Sequence, residues 1–216
     1  MAPESSPAMV ASHFSDADNQ ETAATLGMWI FLATEVLFFG VLFAGYAVTR
    51  LIHPEAFGNG GRHTDVLLGS INTAILLTSS LTMGLAVRAS SVGWRRSSVT
   101  WLTLSAILGV AFLVIKGYEW YHESLEGLLP GPGFDYSGPD VPGVELFFFL
   151  YFTMTGAHAV HLSIGILVVA SVAVLAARGK FSADYHTPVV LTGLYWHFID
   201  VVWIFLYPLF YLVSRS

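Results

Sequence analysis

The chain has 216 residues, of which 55% are hydrophobic and only 11% charged, against roughly 25% charged in soluble domains. A mean hydropathy of +0.66 excludes a surface that faces water over most of its area, and a net charge of −6 makes nucleic acid an unsuitable partner. The absence of Cys excludes disulfides, thiolate metal sites, iron–sulfur ligation and cysteine nucleophiles.

Residues 1–22 are polar, acidic and free of Lys and Arg. They lack the basic start and apolar stretch of a signal peptide, so a flexible tail is expected there. After it, charge divides the chain into five windows. Residues 22–49 hold one charge, Glu35; residues 66–87, 97–115 and 146–177 hold none; residues 185–214 hold one, Asp200. A helix needs about 20 apolar residues to cross the hydrocarbon, and only a continuous helix or a closed barrel satisfies its backbone there. No alternating pattern of strand length appears. The expectation is an all-α integral membrane bundle of five transmembrane helices, near 24–49, 66–88, 98–119, 146–177 and 189–213. Residues 23–216 then form one domain, and the Pro- and Gly-rich stretch 121–145 forms a loop.

With five spans, Arg88, Arg95, Arg96, Arg178 and Lys180 fall on the side of the N-terminus, and Arg50, Arg62, Lys116 and Arg215 on the other. The basic excess places the N-terminus in the cytoplasm and the C-terminus outside.

Ionisable groups at bilayer depth are costly, so their positions are informative. Glu35, His158, His161 and Asp200 all fall near the middle of their windows. Met154, His158, His161 and Gly165 share one helix face, as do Gly193, His197, Asp200 and Ile204. Glu35 is expected to pair with His161 or His158, and His197 with Asp200, one turn apart. Gly69, Asn72, Ser79 or Ser80, and Met83 make a small and polar stripe, and Ser105 and Gly109 suit close helix contact. Such pairs either lock the packing of helices or conduct protons. His158 and His161 alone are too few for a Zn site, and a haem held by His161 and His197 would require a wide slot between helices. No metal site is expected. Lys116 and Glu119 are expected to form an interfacial ion pair worth under about 1 kcal/mol. Tyr118, Trp120, Tyr121, Tyr207 and Tyr211 suit an interfacial belt; Trp196 and Trp203 lie deeper and are expected to face a partner or lipid.

Five segments then carry a resemblance: LGMWIFLATEVLFFGVLFAGYA at 26–47, SINTAILLTSSL at 70–81, KGYEWYHES at 116–124, TGAHAVHLSIGI at 155–166 and LYWHFIDVVWIFLYPL at 194–209. In order and across all five windows, they resemble subunit III of haem–copper terminal oxidases, in its five-span bacterial form. The resemblance implies a subunit without haem or copper, both of which reside in partner subunits. It implies packing against oxidase subunit I and other oxidase subunits, structural phospholipid in a cleft, and support of proton uptake, with a respiratory supercomplex as a further setting. The family's embedded glutamate falls on Glu35 and the second histidine of its HxxH motif on His161. Its YEY-like motif places a glutamate at Glu119, with Trp120 where Tyr is usual, and Trp196 and Trp203 belong to the last segment. The resemblance extends to quinol oxidases and nitric oxide reductase complexes, and leaves the electron donor open. A lone transporter built on Glu35 and Asp200 would show repeats and broken helices, which are absent from the sequence.

Overall fold

The computed structural model describes residues 17–212. Among them are six helices: α1 (Ala17–Ile52), α2 (Pro54–Arg62), α3 (Val66–Ser91), α4 (Arg95–Leu125), α5 (Val141–Ala177) and α6 (Thr187–Tyr211). Five are long and apolar enough to cross a membrane; α2 is not. The protein is an all-helical, multi-pass membrane bundle.

Three helix ends lie five or more residues beyond the expected ranges, and one helix is additional. α1 begins at Ala17, inside the stretch expected to be a tail; residues 1–16 of that tail lie outside the described residues. α4 continues through Leu125 and α5 begins at Val141, which shortens the expected loop from both sides. Asp140, held left-handed at φ 51°, starts α5 by accepting the Gly143 N–H at 3.2 Å, ahead of a Pro in the first turn. α2 was not anticipated, because PEAFGNGGR carries three Gly and has poor intrinsic helicity. Tertiary packing supports it instead: Phe57 meets Tyr46 and Phe147 edge to face, at centroid distances of 5.2 and 5.4 Å.

Other ends are secured by polar groups. Asp65 caps α3 by accepting from the N–H groups of Leu67 and Leu68 at 2.8 and 3.1 Å. The Arg95 guanidinium donates to the last carbonyls of α5, at Ala176 and Ala177, where a cation also meets the negative end of the helix dipole.

α3 packs most extensively on α4, which packs on α5, and α6 closes the group against α3 and α5. α1 lies at the flank, touching α6, α5 and α2. Only 11% of its most apolar window is buried, against 56% for α6. α6 is therefore central, while α1 presents most of its circumference outward.

Between hydrocarbon and hydrocarbon the hydrophobic effect gives helices no reason to associate, so close packing and hydrogen bonds must hold them. Gly109 of α4 shows how. A Cβ added there would lie 2.8 Å from Cη2 of Trp196 and 3.0 Å from Cγ1 of Ile166. Gly109→Ala is expected to destabilise the bundle by about 1–3 kcal/mol through overpacking, read as earlier thermal dissociation in detergent. Unchanged dissociation would mean that the indole moves aside freely.

Candidate functional site

Among the described residues, a partly buried polar pair, a buried polar cluster and a polar seam occupy the bundle. The first joins α1 to α5. Glu35 Oε2 lies 2.9 Å from His161 Nε2, and both side chains are less than one-fifth exposed. His161 Nδ1 lies 2.7 Å from the Ala157 carbonyl oxygen. A carbonyl only accepts, so Nδ1 carries a hydrogen. The contact between Nε2 and Glu35 then needs one further proton, on the imidazole as an ion pair or on the carboxyl as a neutral pair. Phe38 and Phe39 flank the ring at 5.8 and 5.1 Å, and the Tyr195 hydroxyl donates to the His161 carbonyl at 3.1 Å. The pair thus sits on the flank of the bundle, walled by aromatic rings.

His158 does not meet Glu35. It is fully buried between Phe112 and Trp203, with centroids 5.5 and 5.2 Å away, and neither ring nitrogen has a hydrogen-bond partner among the described residues. Of the two histidines offered by sequence, His161 faces α1 and His158 faces inward.

The second grouping overturns the expectation for Lys116 and Glu119. They are an i, i+3 pair, with 3.1 Å between Nζ and Oε2, but their side chains are 1% and 3% exposed. This is an interior ion pair, not an interfacial one. Lys116 Nζ also donates to the hydroxyls of Tyr151 and Tyr211, both at 2.6 Å, so each of its three hydrogens has an acceptor. The Tyr211 hydroxyl lies 3.0 Å from Glu119 Oε2, and the Tyr151 hydroxyl lies 3.0 Å from Glu119 Oε1 and 2.7 Å from Glu123 Oε1. Lys116 stands 4.3 Å from the centroid of the Tyr151 ring, within cation–π range. Tyr211 accordingly leaves the expected aromatic belt for the core, whereas Tyr118 and Tyr121 are exposed as a belt requires. Lys116, Glu119 and Glu123 are spaced i, i+3, i+7, one stripe of a helix. That spacing was the signal by which Glu123 could have been included.

The seam between α3 and α6 corrects two further expectations. His197 and Asp200 form no hydrogen bond with each other: His197 Nδ1 lies 2.7 Å from Ser80 Oγ, and neither Asp200 oxygen has a partner among the described residues. A serine on the neighbouring helix competes successfully for the imidazole. Trp196 and Trp203 are fully buried instead of facing a partner or lipid. Their indole N–H groups donate to Ser79 Oγ at 3.1 Å and Thr73 Oγ1 at 3.0 Å. Thr82 and Ser105 hydroxyls, 2.7 Å apart, tie α3 to α4 beside them. Ser79 of the small polar stripe on α3 thus supports the Trp196 indole, and Thr73, outside that stripe, supports Trp203.

Among the described residues no group of three or more His, Asp or Glu is arranged to hold a metal ion. The arrangement can hold helices together and keep charge in the interior of the bundle.

A profile of the family described as Cytochrome c oxidase subunit III matches residues 11–215. The chain is 34% identical to a cytochrome c oxidase subunit 3 of Thermostichus vulcanus, over 88% of this chain and 87% of that one. It is 33% identical to a cytochrome bo(3) ubiquinol oxidase subunit 3 of Pseudomonas aeruginosa, over 87% and 84% respectively. To a cytochrome c oxidase subunit 3 of Corynebacterium diphtheriae it is 31% identical, over 91% of both. With five spans in the expected order and a match over nearly its whole length, the chain belongs to the cytochrome c oxidase subunit III family, the third subunit of haem–copper oxidases, which carries no redox cofactor of its own.

Proposed function

We propose that this chain serves as the cofactor-free third subunit of a bacterial respiratory haem–copper oxidase, in a complex that reduces oxygen and translocates protons. Its part is to support subunit I through packing, lipid binding and proton uptake, with its N-terminus in the cytoplasm. The observation that carries this reading is the Glu35–His161 pair on the flank of the bundle. A proton-sharing pair beside the outward face of α1, whose Leu37, Val41 and Val48 are exposed, needs an ordered neighbour to keep water away. Ordered acyl chains and the adjoining subunit supply one, and the pair in turn fixes α1 against α5. Glu35 is a positioning group in this reading, not a member of the proton path.

Glu35→Gln is therefore expected to leave proton pumping by the assembled oxidase near normal, while retained phospholipid per complex falls and activity decays faster during turnover. Complete loss of pumping with assembly intact would overturn the reading. Relatives named as cytochrome c oxidase and as ubiquinol oxidase subunits match about equally well. The haem types of the purified complex, and its activity with cytochrome c against quinol, assign the donor.

A further inference from the structure

Where α3 begins and α4 ends, a cavity of about 220 Å³ opens at the end of the bundle. Asp65, Glu119, Glu123 and Glu126 line it with carboxylates, and His63 and His122 with imidazoles. Acidic groups alone define no site. What distinguishes this cavity is Glu123, which is only 3% exposed, accepts the Tyr151 hydroxyl through Oε1, and has no hydrogen-bond partner at Oε2 among the described residues. A buried carboxylate oxygen without a donor is destabilising, and native structures rarely leave one so. The nearby ammonium does not serve it, because Lys116 directs its hydrogens to Glu119, Tyr151 and Tyr211.

A bare metal ion does not meet the need, since no three of these groups converge as ligands. The occupant must be larger and bring its own N–H groups. The wall also holds Leu68 and Tyr118, and Leu67, Ile71 and Val114 continue from there as exposed apolar residues along α3 and α4. The cavity is thus acidic and imidazole-lined at its mouth, with an apolar track leading into the hydrocarbon.

We propose that this cavity binds the headgroup of an aminophospholipid, with Glu123 as the principal acceptor of its ammonium. Glu126, whose Oε1 lies 3.3 Å from His122 Nδ1 in an exposed pair, lies on the same wall as a second acceptor through its other oxygen. The imidazole N–H groups of His63 and His122 suit the phosphate, and acyl chains follow Leu67, Ile71 and Val114. The inference rests on the reading that this subunit organises lipid, and adds a separate place and a chemical class to it.

The test uses the intact oxidase, delipidated in detergent and titrated with phosphatidylethanolamine or with phosphatidylcholine of the same chains, bound lipid being counted by native mass spectrometry. Phosphatidylcholine keeps the phosphate and the positive charge but has no N–H donor. Wild-type complex is expected to favour phosphatidylethanolamine about tenfold, the scale of one charge-assisted hydrogen bond. Glu123→Gln is expected to abolish the preference and Glu126→Gln to reduce it. Equal binding of the two lipids by wild type would overturn the proposal, as would a preference that survives both substitutions or a basic side chain of another subunit seated in the cavity. If Glu123→Gln does not assemble, the exposed Glu126 carries the same comparison. Loss of total phospholipid in Glu35→Gln without an amine preference in wild type would sink this site and leave the wider reading standing. An amine preference without that loss would do the reverse.

Discussion

Replacing Lys116 by Met is expected to destabilise the subunit by about 3–5 kcal/mol, the usual result of removing one partner from a buried ion pair. The Met side chain keeps most of the stem, so packing changes little and the effect reports charge. Without the ammonium, Glu119 and Glu123 remain in the interior with only the Tyr151 and Tyr211 hydroxyls to serve their oxygens. Two carboxylates sharing such a space repel each other and lack hydration. The measurement is the temperature, or the concentration of a harsh detergent, at which the third subunit leaves the purified complex. A double-mutant cycle sharpens it: Lys116→Met with Glu119→Gln should be less damaging than Lys116→Met alone, because the uncompensated charge is removed with its partner. Strict additivity of the two changes would show that the cluster is not an electrostatic unit.

Trp203→Ala is expected to cost about 3 kcal/mol or more, from the range for buried aromatic truncations. The indole lies edge to face on Phe112 at 4.7 Å, tilted beside His158 at 5.2 Å, and donates to Thr73 at 3.0 Å. It also stands 5.8 Å from Lys116 Nζ, between the charged cluster and the interior histidine. Loss of the ring therefore opens a void next to a buried ammonium and removes one of the hydrogen bonds that tie α6 to α3. Trp203→Phe, which restores most of the ring but no donor, should recover most of the stability, since interhelical hydrogen bonds in membranes average about 0.6 kcal/mol. Equal damage from Ala and Phe would assign the effect to the hydrogen bond instead of the packing. Both variants are read on the assembled complex, in the same dissociation assay as Lys116→Met.

These expectations concern residues whose surroundings were hard to foresee. Lys116 and Glu119 were legible as a pair by their spacing, but their depth was not. A Lys near the end of an apolar window ordinarily snorkels to the interface; here Tyr151 and Tyr211, remote in sequence, turn it inward. Trp196 and Trp203 were legible as deep, but which neighbour they touch depends on the Ser79 and Thr73 hydroxyls of α3. The geometry around Glu35 was partly foreseeable, because two mid-depth groups must find partners among few candidates. Spacing alone did not choose His161 over His158, because three residues apart both lie near the same face; the resemblance favoured His161, and the position of α1 distinguishes them. α2 was invisible for a different reason: its helix exists through Phe57 meeting Tyr46 and Phe147, against its own propensity.

Length and placement of nearly uncharged windows, with no strand-length alternation of a barrel, determined that five helices suit a membrane crossing, and the segment at 194–209 was sufficient to suggest the family. Tertiary structure alone decided which polar groups meet. Inside a bilayer apolar surface has no preference between lipid and protein, so helix faces are assigned by close contact, hydroxyl ledges and the few charges that must be neutralised, and these depend on neighbours from distant parts of the chain.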